Sequence, residues 1–196
     1  MKLLALFLLL TAGAFAQIPG TEEENTHNHG NLGAYFDYTR LSTKGSTANM
    51  LGFGGRIGFN VQRHIVLEAE VTYDFKRSVT NTITAGGITS SSTANVKSLT
   101  GLFGPKIQTT GNTRFFGLVK GGFVNFGVSG PGPAGSVNNQ LGNLVNGGTS
   151  AVVYPGGGVE FQWGKFGLRA EAGDEIMFLS TMQNNFRATV GYNFRF

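Results

Sequence analysis

The sequence contains no cysteine, so disulfide bonds play no part in holding the chain together. Charged residues are scarce, at 13% of the chain against about 25% in an ordinary soluble domain. After residue 16, no apolar run approaches the roughly 20 residues that a membrane-spanning helix needs. No run of basic residues is present, and without Lys2 the 14 Lys and Arg side chains exceed the 11 Asp and Glu side chains by only 3. A nucleic-acid partner is therefore not expected.

The N-terminus has the pattern of a secretory signal peptide. Lys2 is followed by the apolar run LLALFLLL and by an Ala-x-Ala cleavage site that ends at Ala16. This apolar run is too short to cross a bilayer as a helix. We therefore expect residues 1–16 to be removed on export, residues 17–30 to form a polar leader, and residues 31–196 to form one domain.

Glycine is abundant, with 31 residues, and phenylalanine outnumbers tyrosine by 17 to 5. From residue 31 onward, apolar and polar residues alternate with a period of two, which indicates β-strands with two different faces. The clearest run sets Phe53, Ile57 and Phe59 against Arg56 and Asn60. Eight such runs are present, at about 31–41, 49–60, 65–75, 95–108, 114–126, 151–162, 166–174 and 186–196.

The connections between these runs differ in length. Short turns join the second run to the third, the fourth to the fifth and the sixth to the seventh, whereas two of the other connections, 76–94 and 127–150, are long and low in charge. Outer-membrane β-barrels have short periplasmic turns and longer extracellular loops. The sequence therefore predicts an all-β fold, an eight-stranded antiparallel up-and-down transmembrane β-barrel.

The charge-bearing face of the runs is expected to point into the barrel, because Arg or Lys facing lipid at mid-membrane costs about 2–4 kcal/mol. Inside, six basic groups would face six acidic groups, and buried charge is tolerable only when it is paired. Glycines on this face would leave room for long Arg and Glu side chains. The predicted network of charges in the lumen comprises Arg56, Glu68, Glu70, Lys120, Glu160, Arg169, Glu171 and Arg187, with Asp37, Asp74, Lys106 and Arg195 on the same face.

The opposite face is expected to meet lipid, with Tyr38, Tyr73, Tyr192 and Trp163 near strand ends where aromatic girdles form. A soluble lipocalin-like carrier of an apolar ligand has the same alternation with its faces reversed. Twelve phenylalanines would overfill the narrow interior of an eight-stranded barrel, which favours the membrane barrel. The phenylalanines on this face are Phe36, Phe53, Phe59, Phe75, Phe103, Phe115, Phe123, Phe161, Phe166, Phe186, Phe194 and Phe196.

The signal peptide, the eight runs and the final VGYNFRF resemble the small eight-stranded outer-membrane barrels of the OmpA transmembrane-domain and OmpX kind. The resemblance is one of pattern and covers nearly all of 31–196. It implies an outer-membrane location, contact with outer-membrane lipid, and a last strand that the barrel-assembly machinery reads through Tyr192, Phe194 and Phe196. We expect a monomer without a cofactor or a bound metal.

Catalytic groups are not expected. A barrel-type lipid-modifying enzyme would need a base near the outer rim, but His27 and His29 lie in the leader and His64 lies at a short turn. His27 and His29, beside three glutamates, are metal-ligating types, yet a solvated leader is the favoured interpretation. An enzyme would need a catalytic constellation among Asp174, Glu175, Ser180 and Thr181, and none can be assembled there without a base.

The predicted function is that of an outer-membrane barrel with a structural or surface-interaction role. An unidentified extracellular ligand would bind at 76–94 and 127–150, because loops at that end face the cell exterior. A narrow pore, a lipid-modifying enzyme and a lipocalin-like carrier stay open as alternatives at this point. Eight strands leave little free lumen, so a wide diffusion channel is not expected.

Overall fold

The computed structural model describes residues 29–43, 46–85, 88–129, 148–178 and 182–196. Within these ranges it describes the side chains except at 43, 46, 79–85, 88–94, 128 and 129. The predicted signal peptide at 1–16 lies outside the described residues, as does the leader except for its last two positions. Gly30 is the first residue of the first strand.

Eight strands form one closed barrel in which each strand is antiparallel to the next. Their order around the barrel is their order in the chain, which is an up-and-down topology. The predicted fold class is therefore confirmed. The strands are β1 (Gly30–Thr43), β2 (Ser46–Gln62), β3 (Ile65–Ala85), β4 (Ile88–Gln108), β5 (Thr113–Ser129), β6 (Thr149–Trp163), β7 (Phe166–Phe178) and β8 (Met182–Arg195).

The first and last strands close the barrel. They pair from Asn31 with Arg195 to Arg40 with Phe186. Gly30 and Phe196 then exchange two backbone hydrogen bonds of 3.1 Å just beyond the ladder. Every strand thus has two neighbours, which removes the open sheet edges that favour aggregation.

One end of the barrel carries the tight connections, and we call it the turn end. The strands are joined there by residues 63–64, 109–112 and 164–165. The first residue of β1 and the last residue of β8 lie at the same end. Gly111, with a φ of 106°, and Gly164, with a φ of 59°, adopt backbone conformations that residues with a Cβ rarely take. These positions explain why two of the three short turns contain glycine.

At the opposite end, which we call the loop end, the strands are longer than predicted. The prediction of a loop at 76–94 is wrong for most of that segment, because β3 and β4 pair in register from Arg77 with Val96 to Ala85 with Ile88. Nine residue pairs at about 3.4 Å each extend the ribbon by about 30 Å. The Thr, Val and Ile residues of this segment favour strands.

The predicted loop between the fifth and sixth runs is also shorter than predicted, by a few residues at each end. Of the predicted 127–150 loop, β5 occupies residues up to Ser129 and β6 begins at Thr149, while 130–147 lies outside the described residues. The part of the chain that the structure describes contains no helix long and apolar enough to cross a membrane.

Candidate functional site: the charged interior and the outer faces

Alternate residues of every strand point into the barrel, and the inward set carries the charge. The eight residues of the predicted network all lie in the interior, each no more than 3% exposed. Asp37, Asp74, Lys106 and Arg195 also lie there, each no more than 8% exposed. The strands that hold them run antiparallel, so residues far apart in the sequence meet across the lumen.

Arg169 and Glu68 form the centre of the network. The Arg169 Nη1 and Nη2 atoms donate hydrogen bonds of 2.6 and 3.0 Å to the two carboxylate oxygens of Glu68, and Nη2 also donates to Glu171 at 2.5 Å. Glu68 additionally pairs with Lys106 at 2.9 Å and Lys120 at 3.2 Å. Such bidentate, charge-assisted hydrogen bonds are the geometry that makes buried charge tolerable.

The network continues from this centre toward both ends of the barrel. Toward the turn end, Lys106 reaches Glu160 at 3.4 Å, and Glu160 pairs with Arg195 at 3.2 Å. Toward the loop end, Lys120 pairs with Glu70 at 2.7 Å, and Glu70 pairs with Arg187 at 2.7 Å. The ion pairs therefore form one connected chain along the barrel axis.

Three further pairs complete this chain. Arg56 bridges Glu70 at 3.6 Å and Glu171 at 3.4 Å. Arg187 ends the chain at the loop end with Asp37, whose Oδ1 accepts a 2.6 Å hydrogen bond from Nε. The interior thus links β1, β2, β3, β4, β5, β6, β7 and β8 by side-chain contacts as well as by backbone ladders.

One carboxylate in the interior was missed by the sequence reasoning as a member of the network. Glu175 is 2% exposed, and its Oε2 lies 3.8 Å from Arg187 Nε. The described interior therefore holds seven carboxylates against six basic groups. The missed signal was the period-two pattern of Arg169, Glu171 and Glu175 on one face of β7, which continues past the predicted end of the strand at 174.

Three aromatic rings stand among the charges. Arg56 lies over the Tyr35 ring at 4.5 Å from its centroid, Arg169 lies over Phe116 at 4.1 Å, and Arg187 lies over Tyr154 at 5.1 Å. These rings attract the arginines through cation–π interactions and add no further negative charge to the interior.

Inward glycines make room for these rings rather than chiefly for Arg and Glu. A Cβ at Gly54 would lie 2.4 Å from the Tyr35 ring, and one at Gly158 would lie 2.8 Å from the Phe116 ring. The expectation that glycines on this face leave room for long Arg and Glu side chains therefore did not include the aromatic rings. Each glycine is the direct partner of the aromatic residue on the neighbouring strand, where the inward ring leaves room for only the smallest residue.

An apolar cap covers the network at the loop end. Its side chains point inward from the loop-end parts of six strands, and each is no more than 3% exposed. The sequence reasoning missed this cap because it assigned whole strands to one polar inner face. The cap consists of Leu41, Met50, Val96, Phe126, Val152 and Met177.

The outward face is apolar. Phe36 is 77% exposed and Tyr192 is 70% exposed, values that are extreme for aromatic residues. All twelve phenylalanines named above are exposed on this face, together with Phe178, while Phe116 and Phe126 point inward. A continuous apolar surface of this extent is far larger than the patches of a few hundred Å² that soluble monomers expose.

The residues predicted as an assembly signal lie on this outward face of β8. Tyr192 and Phe194 are exposed, and the Phe194 ring packs against Phe166 with centroids 5.4 Å apart. Phe196 follows the strand and is held by its backbone hydrogen bonds to Gly30. The strand that closes the barrel is therefore also the strand that presents these rings.

The described residues assemble no catalytic or metal-binding constellation. His64 Nδ1 lies 3.0 Å from the Gln108 carbonyl oxygen at the turn end, and His29 is exposed. Glu175 is committed to Arg187, while Asp174 lies on the outward face of β7. Ser180, Thr181 and His27 lie outside the described residues, and within them no group of three or more His, Asp or Glu could hold a metal ion.

Comparison with known proteins places this fold. No protein-family model matches the chain, and the search of curated proteins found no match. Among solved structures, Ail, the attachment invasion locus protein of Yersinia pestis, in complex with the heparin analogue sucrose octasulfate, has a TM-score of 0.58 at 14% identity, covering 87% of this chain and 100% of Ail. A second Ail structure has a TM-score of 0.56 at 13% identity, with the same coverage. Neisserial surface protein A has a TM-score of 0.57 at 10% identity, covering 88% of this chain and 100% of that chain.

The chain has the fold of the small eight-stranded outer-membrane barrels. The recognition made from the sequence pattern is thereby confirmed at the level of fold. Because identities between 10% and 14% carry no information on residue roles, the interior network and the outer surface must be interpreted from this chain's own contacts. Within the small-barrel fold, the network occupies the lumen and the aromatic belt surrounds it.

Proposed function

We propose that the protein is an integral outer-membrane β-barrel with a structural or surface-interaction role. The observation that carries this proposal is the inversion of the usual faces, with thirteen phenylalanines outside and thirteen charged side chains inside. In water, that arrangement would leave the apolar rings without cover and bury the charges. In a bilayer, the same rings contact acyl chains, and only the charges need protein partners.

The same proposal includes the route to the membrane. Residues 1–16 act as the export signal, residues 31–196 form the barrel, and the turn end faces the periplasm. Tyr192, Phe194 and Phe196 on the closing strand are the residues that the assembly machinery reads, and the protein works as a monomer. No catalytic step is assigned to it, because the described residues place no histidine near the loop end.

A lipocalin-like carrier is not supported by the interior. A carrier of an apolar ligand needs an apolar cavity, whereas the interior here is filled by ion pairs between 2.5 and 4.0 Å and by the aromatic rings among them. We assign an extracellular ligand to two surfaces at the loop end. One is the paired ribbon of β3 and β4, and the other is the segment 127–150, which connects β5 to β6.

Heat-modifiability tests the proposed function. Residues 17–196, refolded in detergent micelles, should migrate differently on a gel when unboiled than when boiled and should have a β-type circular dichroism spectrum. The physical reason is that a closed barrel resists the detergent at room temperature and unfolds only on heating. A chain that stays folded, monomeric and soluble without detergent would contradict the proposal.

Conductance separates the proposed role from a narrow pore. The ion-pair network fills the lumen and the apolar cap covers it, so we expect no stable single-channel steps in planar lipid bilayers. The measurement requires a positive control with a known porin and the same protein preparation that passes the gel assay. Reproducible steps of constant size would favour the pore.

A further inference from the structure

Acidic and basic side chains are segregated between the inside and the outside of the barrel. Every Asp and Glu of β1 to β8 except Asp174 lies in the interior. The exposed charges that the structure describes are therefore almost all positive, although the whole chain has a net charge of only +4. The exposed cations are Arg40, Arg63, Lys76, Arg77, Lys97 and Lys165.

The segregation extends to the outermost segments of the loop end, and Asp174 lies just before one of them. The four segments 40–51, 75–97, 125–151 and 176–185 contain no Asp or Glu. They contain five cations, which are Arg40, Lys44, Lys76, Arg77 and Lys97. A surface with cations and no acidic counterpart attracts anions, because no neighbouring carboxylate neutralises its field.

Two of these cations, Lys76 and Lys97, meet at a β-bulge between β3 and β4, and we call them the cationic patch. Arg77 pairs with the inward Val96 and therefore lies on the other face of the ribbon. The register shifts by one residue between Asp74 and Arg77, so two residues of β3, Phe75 and Lys76, oppose the single residue Lys97. Without the extra residue, Lys76 would continue the inward series that ends at Asp74. The bulge thus brings Lys76 to the exposed side beside Lys97, a re-aiming that bulges commonly provide.

The cationic patch has no protein partner among the described residues. Neither Lys76 nor Lys97 makes a hydrogen bond or an ion pair there, and both side chains are exposed. The Lys97 side chain runs along its cross-strand neighbour Gly127, where an added Cβ would lie 2.7 Å from Lys97 Cε. Like charges that face each other across two strands destabilise a sheet. An anion bound between Lys76 and Lys97 would reduce their mutual repulsion.

An aromatic cluster directly adjoins the patch and indicates where it lies relative to a bilayer. The rings of Phe53, Tyr73 and Phe75 pack with centroids 5.7 to 6.3 Å apart on the outward face. Phe75 is the immediate neighbour of Lys76 in the bulge. In membrane barrels such aromatic girdles mark the boundary between acyl chains and headgroups, which places the patch at headgroup level.

We propose that the cationic patch binds the phosphate groups of lipids in the outer leaflet of the membrane. This inference rests on the proposed function, since only a membrane-inserted barrel presents the patch to headgroups. The apolar rings of the cluster contact the acyl chains while the two lysines contact the phosphate. A soluble polyanion would need the cations but not the adjoining rings, and for that reason the lipid is the partner that the surface fits better.

The test compares two charge-matched double variants in the same bilayers. The full mature chain is reconstituted in phosphatidylcholine nanodiscs that contain lipid A as the phosphorylated probe, and retained lipid A is counted by native mass spectrometry across a titration. K76Q/K97Q removes two cations from the patch, and R63Q/K165Q removes two exposed cations from the turn end. We expect K76Q/K97Q to weaken lipid A retention about tenfold and R63Q/K165Q to change it by less than about twofold.

Both variants must first show the mobility shift of the folded barrel on the gel, and failure of the wild-type chain to show it would overturn the proposed function and this inference together. With folded barrels, equal retention by the two variants would overturn the inference and leave the proposed function standing. If K76Q/K97Q instead loses binding of soluble dextran sulfate while its lipid A retention is unchanged, the patch is a site for a soluble polyanion and the lipid proposal is wrong.

Discussion

Replacing Arg169 with methionine should lower the free energy of unfolding by about 3–5 kcal/mol, the cost of removing one partner from a buried ion pair. Arg169 is 1% exposed and donates three hydrogen bonds of 2.5 to 3.0 Å to Glu68 and Glu171. In the variant, Glu171 keeps only Arg56 at 3.4 Å and Lys120 at 4.0 Å as ion-pair partners. Equilibrium unfolding in urea, with the barrel refolded in lipid vesicles, measures the loss.

Glu171→Gln provides the companion to this variant. The described interior holds seven carboxylates and six cations, so removing one carboxylate leaves equal numbers, whereas R169M leaves seven against five. We therefore expect E171Q to cost about 1–2 kcal/mol, the value of the weakened hydrogen bonds. The double variant R169M/E171Q should cost less than the sum of the single changes, because each removes the same contact.

The control for the network is Arg63→Met at the turn end. Arg63 is exposed, and an exposed substitution of this kind changes stability by no more than about 0.5 kcal/mol. The cost of R169M should also persist in 1 M salt, since buried pairs are screened far less than exposed ones. If R169M and E171Q each unfold at the wild-type denaturant concentration, the network does not stabilise the barrel.

Replacing Gly122 with alanine should destabilise the barrel by at least about 2 kcal/mol, while the same change at Gly117 on the same strand should be neutral or stabilising. A Cβ at Gly122 would lie 1.9 Å from the Gly101 carbonyl oxygen and 2.9 Å from Leu102 Cα. Both are backbone atoms of β4, so they cannot rotate away, and the β4–β5 ladder must distort. At Gly117, no atom lies within 4 Å of the added Cβ.

The two alanine variants are measured by the same urea titration. They add the same methyl group to the same strand, so strand propensity and unfolded-state effects largely cancel between them. Their difference in unfolding free energy reports the close approach of β4 and β5 at Gly122. Equal stabilities of G122A and G117A would mean that the strands do not approach as closely as described.

The faces of the strands were predictable because side-chain direction alternates with a period of two along a strand. Once one residue of a run is assigned to a face, the faces of its neighbours follow by counting in twos. Phe53 outside and Arg56 inside agree with this count. The rule gives no signal where the sequence does not alternate apolar and polar residues, as in a segment rich in Ser and Thr. That is why 76–94 reads as a loop in the sequence although most of its residues pair as a ribbon.

The bulge between β3 and β4 shows a second limit of period-two reasoning. An extra residue reverses the parity of everything after it, and nothing in the residues DFKRS marks the position of the shift. Counting by twos from Asp74 assigns Lys76 to the interior, whereas the structure has it exposed beside Lys97. The position of a bulge depends on the pairing of two strands and is therefore a property of the sheet.

The sequence by itself determined that this chain forms eight strands, which face of each strand is charged, and therefore that the charges lie inside a barrel with an aromatic exterior. Only the tertiary structure decided which charges meet, because Arg169 and Glu68 are 101 residues apart and their contact depends on the stagger of every strand between them. It also decided that glycines face aromatic rings, that an apolar cap covers the network, and that the loop end is left with unpaired cations. These features arise from distances across the lumen and along the ladders, which no local pattern of residues encodes.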